Sequence, residues 1–143
     1  GRLGRMMRPV LLALLAVIGT PAAAGAHGGA GQPSCDHDGN QMQLTACAAD
    51  ALAAADAELN AVYRQIMAAL PQGSVARANL RLAQRQWIAL RDADLQAAFP
   101  LEPGEQARVL YGSMYPMSHA YAKAEMTTAR TRWLRDTFLG NDG

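Results

Sequence analysis

Leu52, Ala55, Leu59, Val62, Ile66 and Leu70 follow one another at steps of three and four residues. That spacing gathers them on one face of an α-helix and matches neither face of a strand, whose period is two. The pattern recurs twice. Leu80, Ala83, Trp87 and Leu90 form a second stripe, with Ile88 and Leu95 beside it. Met117, Tyr121, Ala124, Thr128, Thr131, Leu134 and Phe138 form a third. Pro71, Gly73 and Ser74 interrupt the first two stripes, and Pro100, Pro103 and Gly104 end the second. A short helical stretch over 105–110 and a break over 111–116 precede the third. No strand-like alternation occurs anywhere. The spacing therefore predicts an all-α chain, a small antiparallel bundle of three main helices plus a short fourth helical segment. The helical domain is expected over 44–139, opening near Thr45, with 140–143 as a tail.

The first residues do not belong to that bundle. Arg2, Arg5 and Arg8 lead into an apolar run from Val10 to Ile18, and small residues from Gly19 to Ala26 follow. This is the order of a secretory signal peptide over 1–26, with cleavage after Ala24 or Ala26. The run is too short for a membrane span, which needs about 20 apolar residues. Three of the 13 basic residues lie in this leader and none of the 12 acidic ones does, so the rest of the chain carries a net charge of −2. The slight basicity of the whole is a property of the leader. The remainder has no basic stripe with interleaved aromatics, so a nucleic-acid partner is not expected. The expected product is periplasmic or secreted, with no membrane anchor once the leader is gone.

Residues 27–43, rich in Gly, Asp and Asn, read as a flexible lead-in. They contain Cys35, and Cys47 follows shortly after. An even cysteine count in an exported chain points to a disulfide. Closing a loop of about 13 residues is worth roughly 3 kcal/mol in the chain-entropy account.

Polar residues run beside the apolar stripes. Asp56, Asn60 and Tyr63 fall at i, i+4 and i+7 on the first helix, and Gln84 and Arg91 share a face of the second with Trp87 close by. In an antiparallel hairpin Asp56 and Asn60 would meet Arg91 and Gln84, with Asp56 and Arg91 as a charge-assisted pair. One reading makes this network an internal fastening that sets helix register. The other turns it toward a partner. Trp87 sits on the stripe and reads as core. Trp133 lies off its stripe, among Arg130, Arg132 and Arg135. Exposed, it would suit an interface, where Trp and Arg are favoured; the alternative is a solvated face whose arginines complement the helix C-terminus.

Catalytic patterns are weak. There is no glycine-rich phosphate loop, and the histidines are His27, His37 and His119. Cys35, His37 and their aspartate neighbours lack a spaced second ligand pair, so no metal is expected. Asp36, Asp38 and Asn40 fail the calcium-loop register, with Cys47 where the closing Glu belongs. Ser113 and His119 have no orienting acid or oxyanion site in view. Neither an enzyme nor a cofactor is expected.

Several of these motifs, in this order, resemble the lysozyme inhibitor LprI-like domain. The residues that carry the resemblance are Thr45 to Cys47, Asp56, Asn60 and Tyr63, then Gln84, Trp87, Arg91 and Asp92, Gly112 and Ser113, and Thr127 to Arg130 with Leu134. They span about residues 35–138. Family members often carry a further cysteine pair, here replaced by Leu95 and Ala122, which are expected to meet as an apolar contact between the second and last helices. The resemblance implies a protein partner, a lysozyme, blocked in its cleft. A glycoside hydrolase works through two carboxylates, so a protruding cation would suit that cleft. Lys123, Arg130 and Arg132, with Trp133 beside them, and the 111–116 loop with Tyr111, Ser113 and Tyr115 are the candidates. A typical animal lysozyme is basic, toward which a net −2 steers weakly. The alternatives are an interaction or envelope-stress module with a non-lysozyme partner, and a small-molecule binder needing a Trp-, Tyr- and Met-lined pocket.

Overall fold

The computed structural model describes residues 31 and 33–140; the leader and its cleavage sites lie outside them. Four helices follow in order: α1 (Gln41–Ala69), α2 (Val75–Ala98), the one-turn α3 (Ala107–Tyr111) and α4 (Tyr115–Phe138). No strand occurs among the described residues, so the all-α expectation holds, with three long helices and one short.

Local chemistry sets the boundaries. α1 opens at Gln41, four residues before the expected Thr45, because Asn40 and Gln43 form a reciprocal capping box. The Asn40 side chain accepts from the Gln43 N–H at 3.0 Å, and the Gln43 side chain accepts from the Asn40 N–H at 3.0 Å. Residues 41–43 therefore belong to the helix and not to a flexible lead-in. Ser74 caps α2 through the Arg77 N–H. α4 starts at Tyr115, inside the expected break, with Pro116 in its first turn where a missing N–H costs nothing.

Side-chain pairs fix the topology. Arg77 on α2 donates to the Met67 and Leu70 carbonyls at the end of α1, while Arg91, further along α2, lies 3.8 Å from Asp56. These two helices are antiparallel. Gln84 pairs with Arg130 and Asp92 with Lys123, so α2 and α4 are antiparallel as well. Gln41 reaches Met117, and Glu58 meets Arg135 at 2.6 Å, so α1 and α4 run parallel and in step. The bundle is up-down-up.

Its closest backbone approach is between α1 and α4, not within the α1–α2 hairpin. Ala48 and Ala55 face Ala124, Thr127 and Thr131, all buried. Small side chains allow two helix axes to draw together. The two threonine hydroxyls donate to carbonyls one turn back, Thr127 to Lys123 at 2.7 Å and Thr131 to Thr127 at 3.2 Å, so neither is left unpaired.

The buried stripes differ from expectation at several positions. On α1, Ala55, Leu59, Val62 and Ile66 are buried as expected, joined by Cys47, Ala48 and Met67. On α2 the buried line is Leu80, Gln84, Arg91 and Leu95, whereas Leu90 and Ile88 are exposed. The helix is rotated so that two polar side chains enter the interior, because α4 supplies partners for both. On α4, Thr127 replaces the expected Thr128, which is exposed, and Phe138 is on the surface. The large apolar side chains meet at one end of the bundle, where Leu59, Val62, Ile66 and Met67 surround Leu80 and Leu134. Leu95 is buried and Ala122 half-buried on adjoining stretches of α2 and α4.

Candidate functional site: two opposed ends

The polar row divides between structure and surface. Arg91 is buried at 8% exposure and holds the middle of the bundle. Its Nε donates to Asp92 at 3.0 Å and its Nη1 to Thr127 at 3.3 Å, with the Asp56 carboxylate 3.8 Å away. The expected Asp56–Arg91 pair forms. The expected Asn60–Gln84 pair does not: Asn60 is exposed, and Gln84 accepts instead from Arg130 on α4 at 3.1 Å. Tyr63 and Trp87 pack, half-buried, against the apolar cluster.

A ladder of stacked side chains follows. The Trp87 ring lies under Arg91 at 5.2 Å and under Arg130 at 5.7 Å, and Arg130 also covers Trp133 at 4.6 Å. Trp133 in turn meets Phe138 edge to face. Burial lowers the Arg130 pKa from its usual value through desolvation, yet a guanidinium remains charged at neutral pH. Its Nη2 is buried without a hydrogen-bond acceptor, so the two indole faces are its neighbours there. Arg130 is therefore committed to holding α4 on α2 and is not a free protruding cation.

The up-down-up order has an electrostatic consequence. The C-terminal halves of α1 and α4 and the N-terminal half of α2 share one end, and with them come Arg64, Arg77, Arg81, Arg85, Arg130, Arg132 and Arg135. Among the described residues Asp56, Glu58 and Asp136 oppose them there; Asp56 lies beside Arg91 at the middle of the bundle and Glu58 is paired with Arg135. The other end collects Asp36, Asp38, Asp50, Asp92, Asp94, Glu102, Glu105 and Glu125. A chain of nearly balanced charge is thus divided into a basic end and an acidic end.

The acidic end carries the connection between α2 and α4, and this segment is tied down. Phe99 meets Tyr111 and Tyr115 edge to face at 5.8 and 5.5 Å, and the two tyrosines stack at 5.7 Å. His119 packs on Phe99 and Tyr115. The Tyr111 hydroxyl donates to the Pro100 carbonyl at 2.6 Å, and the Glu102 N–H to the Glu105 carboxylate at 2.8 Å. Gly104 and Gly112 supply the positive φ, 88° and 78°, that these turns require. Held in this way, the segment leaves Leu101, Val109, Leu110 and Met114 exposed, Val109 at 80%. Glu105, Val109 and Leu110 line a shallow hollow. On its other flank an open groove of about 600 Å³ runs between α1 and the start of α4, lined by Met42, Thr45, Asp50, Arg108 and Ser113 among others.

The sequence candidates therefore do not make one surface. Tyr111, Ser113, Tyr115 and Lys123 lie toward the acidic end, with Lys123 4.0 Å from Asp92. Arg130, Arg132 and Trp133 lie at the other. The exposed apolar residues of the 99–114 segment and Arg108, an exposed cation among them, were missed. They have no periodic signal, and only the short α3 and the acidic residues around it hinted at an ordered loop.

Cys35 and Cys47 are joined in a disulfide with a Cα–Cα distance of 4.4 Å. It pins the segment before α1 to the acidic end. His37 has a ring nitrogen within 4.8 Å of the two sulfurs, but bonded sulfurs offer no thiolate to a metal.

Across residues 33–134 the sequence matches the family described as lysozyme inhibitor LprI. It is also 37% identical over 116 residues to an uncharacterized protein of Rhizobium meliloti (strain 1021), covering 73% of this chain and 78% of that one. No solved structure matches. The polar residues of α1 and α2, the Arg91–Thr127 bond and the stacked Trp87 all fall within the matched span, and the chain belongs to the lysozyme inhibitor LprI family.

Proposed function

We propose that the protein is an exported inhibitor that binds a lysozyme through its acidic end and blocks it by contact, without catalysis of its own. Family membership supports a lysozyme as partner. The disulfide supports export, since such bonds persist in oxidising compartments. The observation that carries the choice of surface is the tied 99–114 segment, which offers Leu101, Val109, Leu110 and Met114 to solvent with Glu102 and Glu105 beside them. An apolar centre with a charged surround on a preorganised loop is the composition of a binding epitope, because little ordering entropy is lost on association. Concentrating the acidic groups at this end gives a basic lysozyme a directional attraction that a net charge of −2 alone does not. Arg108 stands exposed on the same segment and makes no ion pair among the described residues, at a place from which it can approach the carboxylates of a glycosidase cleft.

Lysozyme turnover of bacterial cell walls in the presence of the leaderless chain is the test. Inhibition is expected, weakening as salt rises. Leu110→Asp is expected to weaken it at least about thirtyfold, the scale of a binding hot spot. Unchanged turnover at micromolar excess of inhibitor would refute the proposal, and recovery of one stable non-lysozyme partner from periplasm would redirect it.

A further inference from the structure

The basic end is a second surface that the inhibitor reading does not use. Its arginines differ in what they do. Arg77 caps α1, Arg130 bonds Gln84 and stacks between indoles, and Arg135 pairs with Glu58. Arg64, Arg81, Arg85 and Arg132 are exposed and make no ion pair among the described residues. Arg81 and Arg85 are one helical turn apart on α2. Apolar side chains are exposed at the same end of the bundle: Val75 at 75%, Leu82 at 48% and Trp133 at 49%. We infer that this end is a peripheral docking surface for an anionic lipid bilayer.

Charge complementarity identifies the class of partner and the apolar residues choose within it. A soluble polyanion would be served by arginines alone and gains nothing from exposed Val, Leu and Trp. A bilayer interface takes both: phosphate headgroups pair with guanidinium groups, while aromatic and aliphatic side chains enter the headgroup region. Among the described residues no helix is long and apolar enough to cross a membrane, so attachment here is to the surface. The acidic end points the opposite way along the bundle. A chain seated on an anionic membrane by its arginines would hold its 99–114 segment outward and clear of a like-charged surface.

The test is sedimentation of the leaderless chain with vesicles of pure phosphatidylglycerol against vesicles of pure phosphatidylcholine. Partition into the first and not the second is expected, with a blue shift of tryptophan emission as Trp133 leaves water. Each arginine near such a surface contributes about a fivefold factor, so R81E/R85E is expected to reduce partition at least about twentyfold. Both side chains are exposed and lie outside the proposed lysozyme surface, so this variant should still inhibit lysozyme. That outcome separates failure here from failure of the inhibitor reading. Should it fold poorly, R64E/R132E provides the same measurement from α1 and α4. Equal partition into both vesicle types, partition into neither, or variants that partition like the wild type would overturn the inference. So would tight binding of soluble polyphosphate with the vesicles ignored.

Discussion

The two ends of this bundle differ in charge and also in what holds them together. At the basic end Leu59, Val62, Ile66, Met67, Leu80 and Leu134 form the apolar core. At the acidic end no comparable cluster exists among the described residues. The chain there is held by the Cys35–Cys47 bond, by alanine and threonine contacts between α1 and α4, and by the ring stack of Phe99, Tyr111, Tyr115 and His119. Arg91 and its partners separate the two regions. Cohesion and presentation are thus divided. The core end supplies global stability, and the end that offers an exposed loop relies on local staples. Binding segments are commonly drawn from the less stable part of a fold, and a small domain with a modest core is where a disulfide contributes most.

Perturbing each end separately tests that division. Leu134→Ala, at a side chain with 0% exposure in the core cluster, is expected to cost about 3–5 kcal/mol in denaturant unfolding. Because the core serves the whole bundle, it should speed hydrogen exchange at both ends. Replacing both cysteines with serine is expected to cost roughly 3 kcal/mol. Here exchange should rise first over 33–46 and 107–117, with the basic end still protected. Uniform loss of protection would show that the ends are not separately held. Arg130→Lys retains the charge but gives up the planar stack on Trp87 and Trp133 and the bond to Gln84. About 1 kcal/mol of destabilisation is expected, read as a shift of the unfolding midpoint. Arg135→Gln removes a half-exposed pair with Glu58 and is expected to change stability by less than about 1 kcal/mol, less still at high salt.

The three long helices were legible because each carries a long apolar period between proline or glycine breaks. The start of α1 was misplaced because its signal is a capping box over Asn40 and Gln43, with Gly39 leaving room for the folded-back Gln43 side chain, and not a hydrophobic pattern. The Asp56–Arg91 pair was foreseeable from adjacent helices. Gln84 was not, because its partner Arg130 lies 46 residues away on α4, and no local spacing says which helix α2 turns this side chain toward. Leu90 followed the same period as Trp87, with Ile88 beside that stripe, yet both face solvent, since period alone does not decide which side of a helix its neighbours occupy. The division of charge is invisible in the net value and emerges only when up-down-up packing brings three chain segments to each end.

Hydrogen exchange of the chain with and without a basic lysozyme addresses the central claim most directly, because it reports both ends in one measurement. The account predicts added protection over residues 99–117, with exchange at 75–85 and 130–138 unchanged. Protection confined to the basic end, around Arg81, Arg85 and Trp133, would contradict it.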